Sequence, residues 1–448
     1  MPKQSKLFFS NYIKIYSWKT FSIILNMLSM FIVIPIISED KIIYGVYMLC
    51  VSFNIFINYA DLGFINSGYK YCAEYFAKKE INQEIRMQGF IAFLYLSFLS
   101  IPFFLFLIIS YDPTLLISDL DNIQNLQIAS SLMFIQAIFI LNNVLNKINY
   151  IAYGIRLENF TLQQIKIVSY SVKILSIFYF FSSEKYDIVG YFLFGKTVDL
   201  VSSIYATYLL KTKYKYNLRL LLKGFKFSKS IFNRTKALAL RSFYASILFI
   251  VFMELDSIVI TKWFGAEVFA YFALAFTLTK FFRSIFSTFF EPFKARFNHF
   301  IALNDYNGLK NIYLKSLIIP LPLICFPLLS LIFLRENFIV NWVGYQYMPS
   351  VDLILYLTLS FIMISLFNPM RFLIVATENN FMIYLINSIL VLIYWTGIFI
   401  TQSIIGFSSF AIFKFISALV VLFFCLIISV KVYDISTKNI LKKIVYPS

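Results

Sequence analysis

Lys280 and Arg283 lie deep in an apolar run between about residues 265 and 291. A basic residue near the centre of a membrane helix costs roughly 2.5–3.5 kcal/mol on translocon scales. The placement is patterned. At about 100° per residue, Thr277, Lys280, Ser284, Ser287 and Glu291 share one narrow helical stripe, with Arg283 on its edge. Phe281, Phe282, Ile285, Phe286 and Phe289 take the other side. The pattern predicts a spanning helix that turns its aromatic residues outward and its cations inward, towards water or an anion. Five basic residues fall inside apolar runs: Lys173, Lys196, Lys280, Arg283 and Lys414. Guanidinium grips phosphate oxygens in a fork and ammonium supplies a compact point charge, so these types suit a buried anion. For Lys196 and Lys414 the competing explanation is snorkelling or local pairing, such as Lys196 with Asp199. Lys173 shares a stripe with Lys166, Ser169 and Ser176, and Asp61 closes another with Tyr47, Asn54 and Asn58. Glu254 and Asp256 point to different faces of one helix, so both reach one pocket only if the helix is locally distorted.

Other apparent chemistry does not survive its context. Residues 190–197, Gly-Tyr-Phe-Leu-Phe-Gly-Lys-Thr, satisfy the Walker A pattern. A phosphate-binding loop, however, follows a strand and wraps its ligand in backbone amides, whereas this run continues an apolar helix. Asp119-Leu120-Asp121 has the spacing of a sugar-nucleotide metal site and keeps a membrane glycosyltransferase or polymerase open as an alternative. His299 is the single histidine, which leaves no histidine triad or histidine–metal cluster. The four cysteines show no CxxC spacing and read as packing residues. No catalytic residue, metal or cofactor is nominated. Aromatic residues are 20% of the chain and spread along its whole length, so no individual ring is singled out.

The surrounding elements are apolar spans. Hydrophobic residues make up 60% of 448 and charged residues 14%, against roughly 25% charged in a soluble domain. Twelve runs long enough to cross about 30 Å of hydrocarbon lie near residues 19–38, 43–65, 88–110, 126–146, 163–182, 188–210, 240–261, 265–290, 312–334, 351–370, 380–401 and 406–430. The first lacks an A-x-A-like exit and reads as an uncleaved span. The net charge of +17 could suggest a nucleic-acid partner, but the positions of the charges argue for topology instead. Thirty basic residues fall in the termini and one alternating set of loops, and four in the opposite set. That asymmetry places both termini in the cytoplasm and predicts contact with anionic lipid in the bilayer. Ten of the thirty lie between residues 211 and 241, and Lys431, Lys438, Lys442 and Lys443 belong to the C-terminal tail. The chain therefore divides into a six-helix lobe over 1–210, a basic cytoplasmic linker over 211–239, and a second six-helix lobe with a short tail over 240–448. The expected fold is an all-α polytopic membrane protein of about twelve transmembrane helices in two lobes around a central cavity.

The run Tyr44-Gly45-Val46-Tyr47, through Asp61-Leu62-Gly63-Phe64, to Lys70-Tyr71-Cys72-Ala73-Glu74-Tyr75 resembles the second-helix signature of Wzx-type bacterial polysaccharide flippases. These belong to the multidrug/oligosaccharidyl-lipid/polysaccharide (MOP) exporter superfamily. Asp256-Ser257-Ile258-Val259-Ile260, then Phe264-Gly265, Tyr271 and Pro292, is similar to that family's seventh and eighth helices. The resemblance implies a non-enzymatic flippase in the bacterial inner membrane. It would move an undecaprenyl-pyrophosphate-linked oligosaccharide by alternating access, for O-antigen, lipopolysaccharide or capsule synthesis, alongside other polysaccharide-assembly membrane proteins. On that reading Lys280 and Arg283 hold the pyrophosphate, with Lys173, Lys196 and Lys414 as further candidates. Asn54, Asn58, Thr277, Ser284 and Ser287 supply polar contacts to sugars. Asp61, Glu254 and Asp256 are candidates for ion coupling, and the Lys211–Arg241 loop acts as a flexible tether. A drug or cation exporter of the same superfamily is the other alternative. It would carry carboxylates at depth, where this chain has more basic residues than acidic ones.

Overall fold

The computed structural model describes residues 3–182, 185–303, 305–377 and 380–433. The tail residues Lys438, Lys442 and Lys443 lie outside these, as do the side chains of Ser287 and Glu291. The described residues form sixteen α-helices and no strand. In order they are α1 (Lys3–Ile37), α2 (Lys41–Tyr59), α3 (Phe64–Ala77), α4 (Ile81–Tyr111), α5 (Ile123–Phe139), α6 (Asn142–Ile155), α7 (Asn159–Phe180) and α8 (Ile188–Lys213). There follow α9 (Leu218–Gly224), α10 (Lys229–Met253), α11 (Leu255–Ala302), α12 (Tyr306–Ile318), α13 (Pro320–Val343), α14 (Ser350–Ala376), α15 (Asn380–Ile405) and α16 (Ser408–Tyr433). The protein is a multi-pass membrane protein, and its helix starts carry ordinary polar caps. Asp40 accepts from the Ile43 amide at 2.9 Å and Asp187 from the Gly190 amide at 2.7 Å.

Nine described helices are long and apolar enough to cross a membrane, or ten when the pair α5 and α6, bent by 44°, counts as one span. Twelve were expected from the hydropathy runs, and two features account for the difference. Residues 229–286 form one 58-residue stretch, about 87 Å at 1.5 Å per residue, which is long enough for two crossings. The stretch is broken at Glu254 and at Gly265. The second feature is α7, whose Gln163, Gln164, Lys166 and Lys173 dilute its hydropathy.

The chain forms two compact units. The first holds the described residues up to Ile250 together with Ser257–Glu267, and the second holds Val251–Asp256 and the described residues from Val268 onward. In the first unit the basic 211–241 segment is not a loose tether. It folds into α9, buries Tyr216 and Leu221, and packs on α4. The Tyr216 hydroxyl bonds the Gln88 side chain. Gly89 and Gly224 permit the approach, since a Cβ on Gly89 would run into the Leu221 carbonyl and the Gly224 backbone. Beneath it, Glu84 is fully buried and Arg156 grips it through two bonds of 2.9 and 3.0 Å. The rings of Phe76 and Tyr216 lie 4.9 and 5.4 Å from the guanidinium carbon.

In the second unit, the aromatic face of α11 packs inward. Phe286 and Phe290 are buried with Ile324, Leu328, Phe361 and Ile362, and Phe281 is also buried. This corrects the expectation that the rings turn outward. The helix is enclosed by α13 and α14, so its apolar side forms core.

Candidate functional site

Each unit collects its own share of the deep charges. Five elements of the first unit surround a cavity of about 510 Å³, within the usual range for small-molecule sites. Asn54 and Asn58 reach it from α2, and Asn142, Asn143, Asn146, Lys147 and Asn149 from α6. Lys166, Ser169 and Tyr170 come from α7, and Lys196, Asp199, Ser202 and Ser203 from α8. The α6 asparagines recur at i, i+1, i+4 and i+7, one face of a helix.

Hydrogen bonds hold this wall in place. Lys196 donates to the Asn54 side-chain oxygen at 3.0 Å, and the Gln136 amide donates to the same oxygen at 3.1 Å. Ser203 donates to Asn146 at 2.8 Å, while Asn149 donates to the Ser203 carbonyl at 3.0 Å. The buried Asn142 Oδ1 has no hydrogen-bond partner among the described residues, which leaves an acceptor at the wall for a ligand hydroxyl or a water. Among charges, Asp199 pairs with Lys173 at 2.6 Å, not with Lys196 as its neighbour in sequence would suggest. Lys147 donates to the Asn58 carbonyl at 3.0 Å. Lys147, Lys166 and Lys196 form no ion pair among the described residues. Three ammoniums thus line a cavity whose one carboxylate is already engaged.

The second unit is arranged differently. At Glu254 the backbone leaves helical geometry (φ −122°, ψ −20°), so α10 ends and α11 begins there. This is the distortion that lets two carboxylates on different helical faces both turn inward. Glu254 and Asp256 are each 1% exposed. Glu254 takes Lys280 at 2.6 Å, and Asp256 takes Lys414, itself 2% exposed. Arg283 lies 3.2 Å from the Met253 sulfur. The space beside Lys280, Arg283, Thr279 and Lys414 is about 10 Å³, room for about one water. In this conformation it does not admit a pyrophosphate. Thr279, not Thr277, borders that space, and Ser284 is exposed.

Asp61 is occupied as a cap. It accepts from the Ile65 amide at 2.8 Å and starts α3 across the turn at Leu62 and Gly63. Asp119 also caps, at long range. Its two oxygens accept from the Ala266 and Glu267 amides at 2.7 and 3.0 Å, where α11 restarts after Gly265 (φ 89°, ψ 171°). Only glycine adopts that backbone readily. Both oxygens of Asp119, the first carboxylate of the Asp-Leu-Asp spacing, are thus engaged in a helix cap. Residues 190–197 continue α8 without a strand or loop, as their apolar character predicts.

No family model matches the chain, and no curated protein matches its sequence. Solved structures do match its fold. A lipid II flippase MurJ in an inward closed conformation superposes with a TM-score of 0.70 at 14% identity, over 97% of this chain and 90% of that one. An inward-facing MATE-family multidrug resistance transporter gives 0.69 at 12%, over 95% and 99%. A MOP-superfamily transporter from Pyrococcus furiosus, described as having a binding pocket of reverse polarity, gives 0.62 at 13%, over 94% and 96%. At these identities the shared property is the fold, which is that of MOP-superfamily transporters.

Proposed function

We propose that the chain is a flippase for an undecaprenyl-pyrophosphate-linked oligosaccharide, moving it across the bacterial inner membrane by alternating access for O-antigen or capsule assembly. The main support is the asparagine-lined cavity. Side-chain amides offer paired donors and acceptors that suit sugar hydroxyls, and ammoniums without a carboxylate suit phosphate. A diphosphate headgroup cannot enter hydrocarbon without such counter-charge. Lys166 and Lys196 are the residues proposed to meet it, with Asn142, Asn146 and Asn149 against the sugars. Alternating access would then open this cavity to one side of the membrane and afterwards to the other.

A drug or cation exporter of the same fold is the competing reading, and the similarity to a MATE structure favours it. Such a protein needs a carboxylate open to its cargo, whereas Asp199, Glu254 and Asp256 each face a lysine. The deciding experiment reconstitutes the protein in proteoliposomes and follows two solutes separately, a lipid-pyrophosphate-linked oligosaccharide and an organic cation dye. Movement of the glycolipid alone supports the proposal. Expulsion of the dye without glycolipid movement would overturn it.

A further inference from the structure

The Lys414 ammonium sits in a shell that a simple ion pair does not require. Three oxygens meet its three N–H donors: the Asp256 carboxylate, the Phe252 carbonyl at 2.8 Å and the Tyr394 hydroxyl at 3.2 Å. Four rings close around the rest. The centroids of Tyr394, Phe276, Phe252 and Phe272 lie 4.5, 5.1, 5.2 and 5.9 Å from Nζ, within the range at which an aromatic face attracts a cation. Other deep lysines have a simpler setting, since Lys173 and Lys280 each meet one carboxylate and remain partly exposed.

The break at Glu254 builds this shell. Because α10 stops at Met253, the carbonyls of its last turn lose their intrahelical partners. Trp395 donates to one of them, that of Val251, at 2.9 Å, and Lys414 donates to that of Phe252. The same helix end carries the negative pole of the helix dipole. Tyr394 donates to the second Asp256 oxygen at 2.6 Å and so orients the carboxylate towards the ammonium. A carboxylate, a helix-terminal carbonyl, a hydroxyl and an aromatic cage make up a monovalent-cation site.

We propose that Lys414 is the tethered occupant of that site, so that the second unit carries its cation covalently and takes up neither a metal ion nor a free ammonium there. The chemical class that the emptied site accepts is a primary alkylammonium. Lys414→Ala keeps Cβ and removes three carbons and the nitrogen, so n-propylammonium is the matching fragment.

The test is thermal unfolding of the purified full-length protein in detergent. The native chain should be indifferent to exchange of sodium, potassium or lithium at constant ionic strength. Lys414→Ala should unfold earlier, and n-propylammonium should restore it saturably, where n-propanol and tetramethylammonium do not. The rescue should vanish in the Lys414→Ala/Asp256→Asn double variant. A folded Lys414→Ala that no primary ammonium stabilises would overturn the proposal. Where Lys414→Ala yields no folded protein, the native chain still decides. Saturable stabilisation by one alkali ion, lost in Asp256→Asn, would mean that the site takes a free ion beside Lys414 and would equally overturn it.

Discussion

Replacing Lys196 and Lys280 separately by alanine should divide substrate binding from stability. Lys196 donates to an amide oxygen at 3.0 Å and has no carboxylate partner among the described residues. Its charge is therefore available to an incoming phosphate. A hydrogen bond to a charged group contributes about 1.5–3 kcal/mol. At about 1.4 kcal/mol per decade, Lys196→Ala should weaken apparent affinity for the pyrophosphate lipid by about 10- to 150-fold. Its unfolding temperature should change little, since no buried charge loses its partner. Lys280 is the opposite case, because it neutralises Glu254, which is 1% exposed, at 2.6 Å. Lys280→Ala removes the cation from a buried ion pair and should cost about 3–5 kcal/mol of stability. Adding Glu254→Gln should recover most of the loss. The assay is the initial translocation rate in proteoliposomes against the mole fraction of glycolipid, with thermal unfolding of each variant measured alongside. A Lys280→Ala protein of native stability and weakened affinity, beside a silent Lys196→Ala, would refute the reasoning and return the headgroup to α11.

Asp119→Ala removes two acceptors at the restart of α11 and should destabilise by about 0.5–2 kcal/mol, as loss of a helix cap does. Asp119→Asn should lose less, and manganese should not shift the native unfolding curve. Saturable stabilisation by manganese that Asp119→Asn abolishes would sink the cap assignment. Arg156→Ala leaves the fully buried Glu84 without its partner and should cost about 3–5 kcal/mol, with an apolar replacement of both residues recovering much of it. A cost below about 1 kcal/mol, typical of an exposed pair, would mean that this pair is not desolvated. Gly89→Ala should detach α9 from α4 and speed proteolytic cleavage between residues 211 and 229. Unchanged cleavage would show that the Gly89–Gly224 approach is dispensable.

Much of the fold was legible because hydrocarbon imposes a length on every crossing and leaves no cheaper backbone than helix. The nine or ten apolar helices differ from the twelve expected spans at two places. Residues 229–286 run on as one helical stretch broken at Glu254 and Gly265, and α7 turns Lys166, Ser169 and Tyr170 to the cavity. The asparagine wall was also visible in the sequence. Asn142, Asn143, Asn146 and Asn149 share one helical face, but an uncharged stripe carries none of the signal that marks a buried cation. Lys166, which shares its stripe with Lys173, lies about two turns into α7, which begins at Asn159.

A helical stripe gives the direction in which a side chain leaves its own helix, but not the group that meets it. The stripe on α11 turns Lys280 towards Glu254, 26 residues away, which takes its charge. Lys414 meets Asp256 across 158 residues, a separation at which no spacing rule operates. Local pairing fails for a related reason. Lys196 and Asp199 are three apart on α8, but Lys173 on the neighbouring helix holds Asp199 at 2.6 Å and leaves Lys196 to an amide. Depth and clustering, which singled out Lys280 and Arg283, mark where charge is expensive. In a bilayer that expense is most often met by a second buried charge, so the deepest cations are the ones most expected to be neutralised within the protein. The charges left for a ligand are those that polar but uncharged neighbours keep in place, and in this chain they line the asparagine cavity of the first unit.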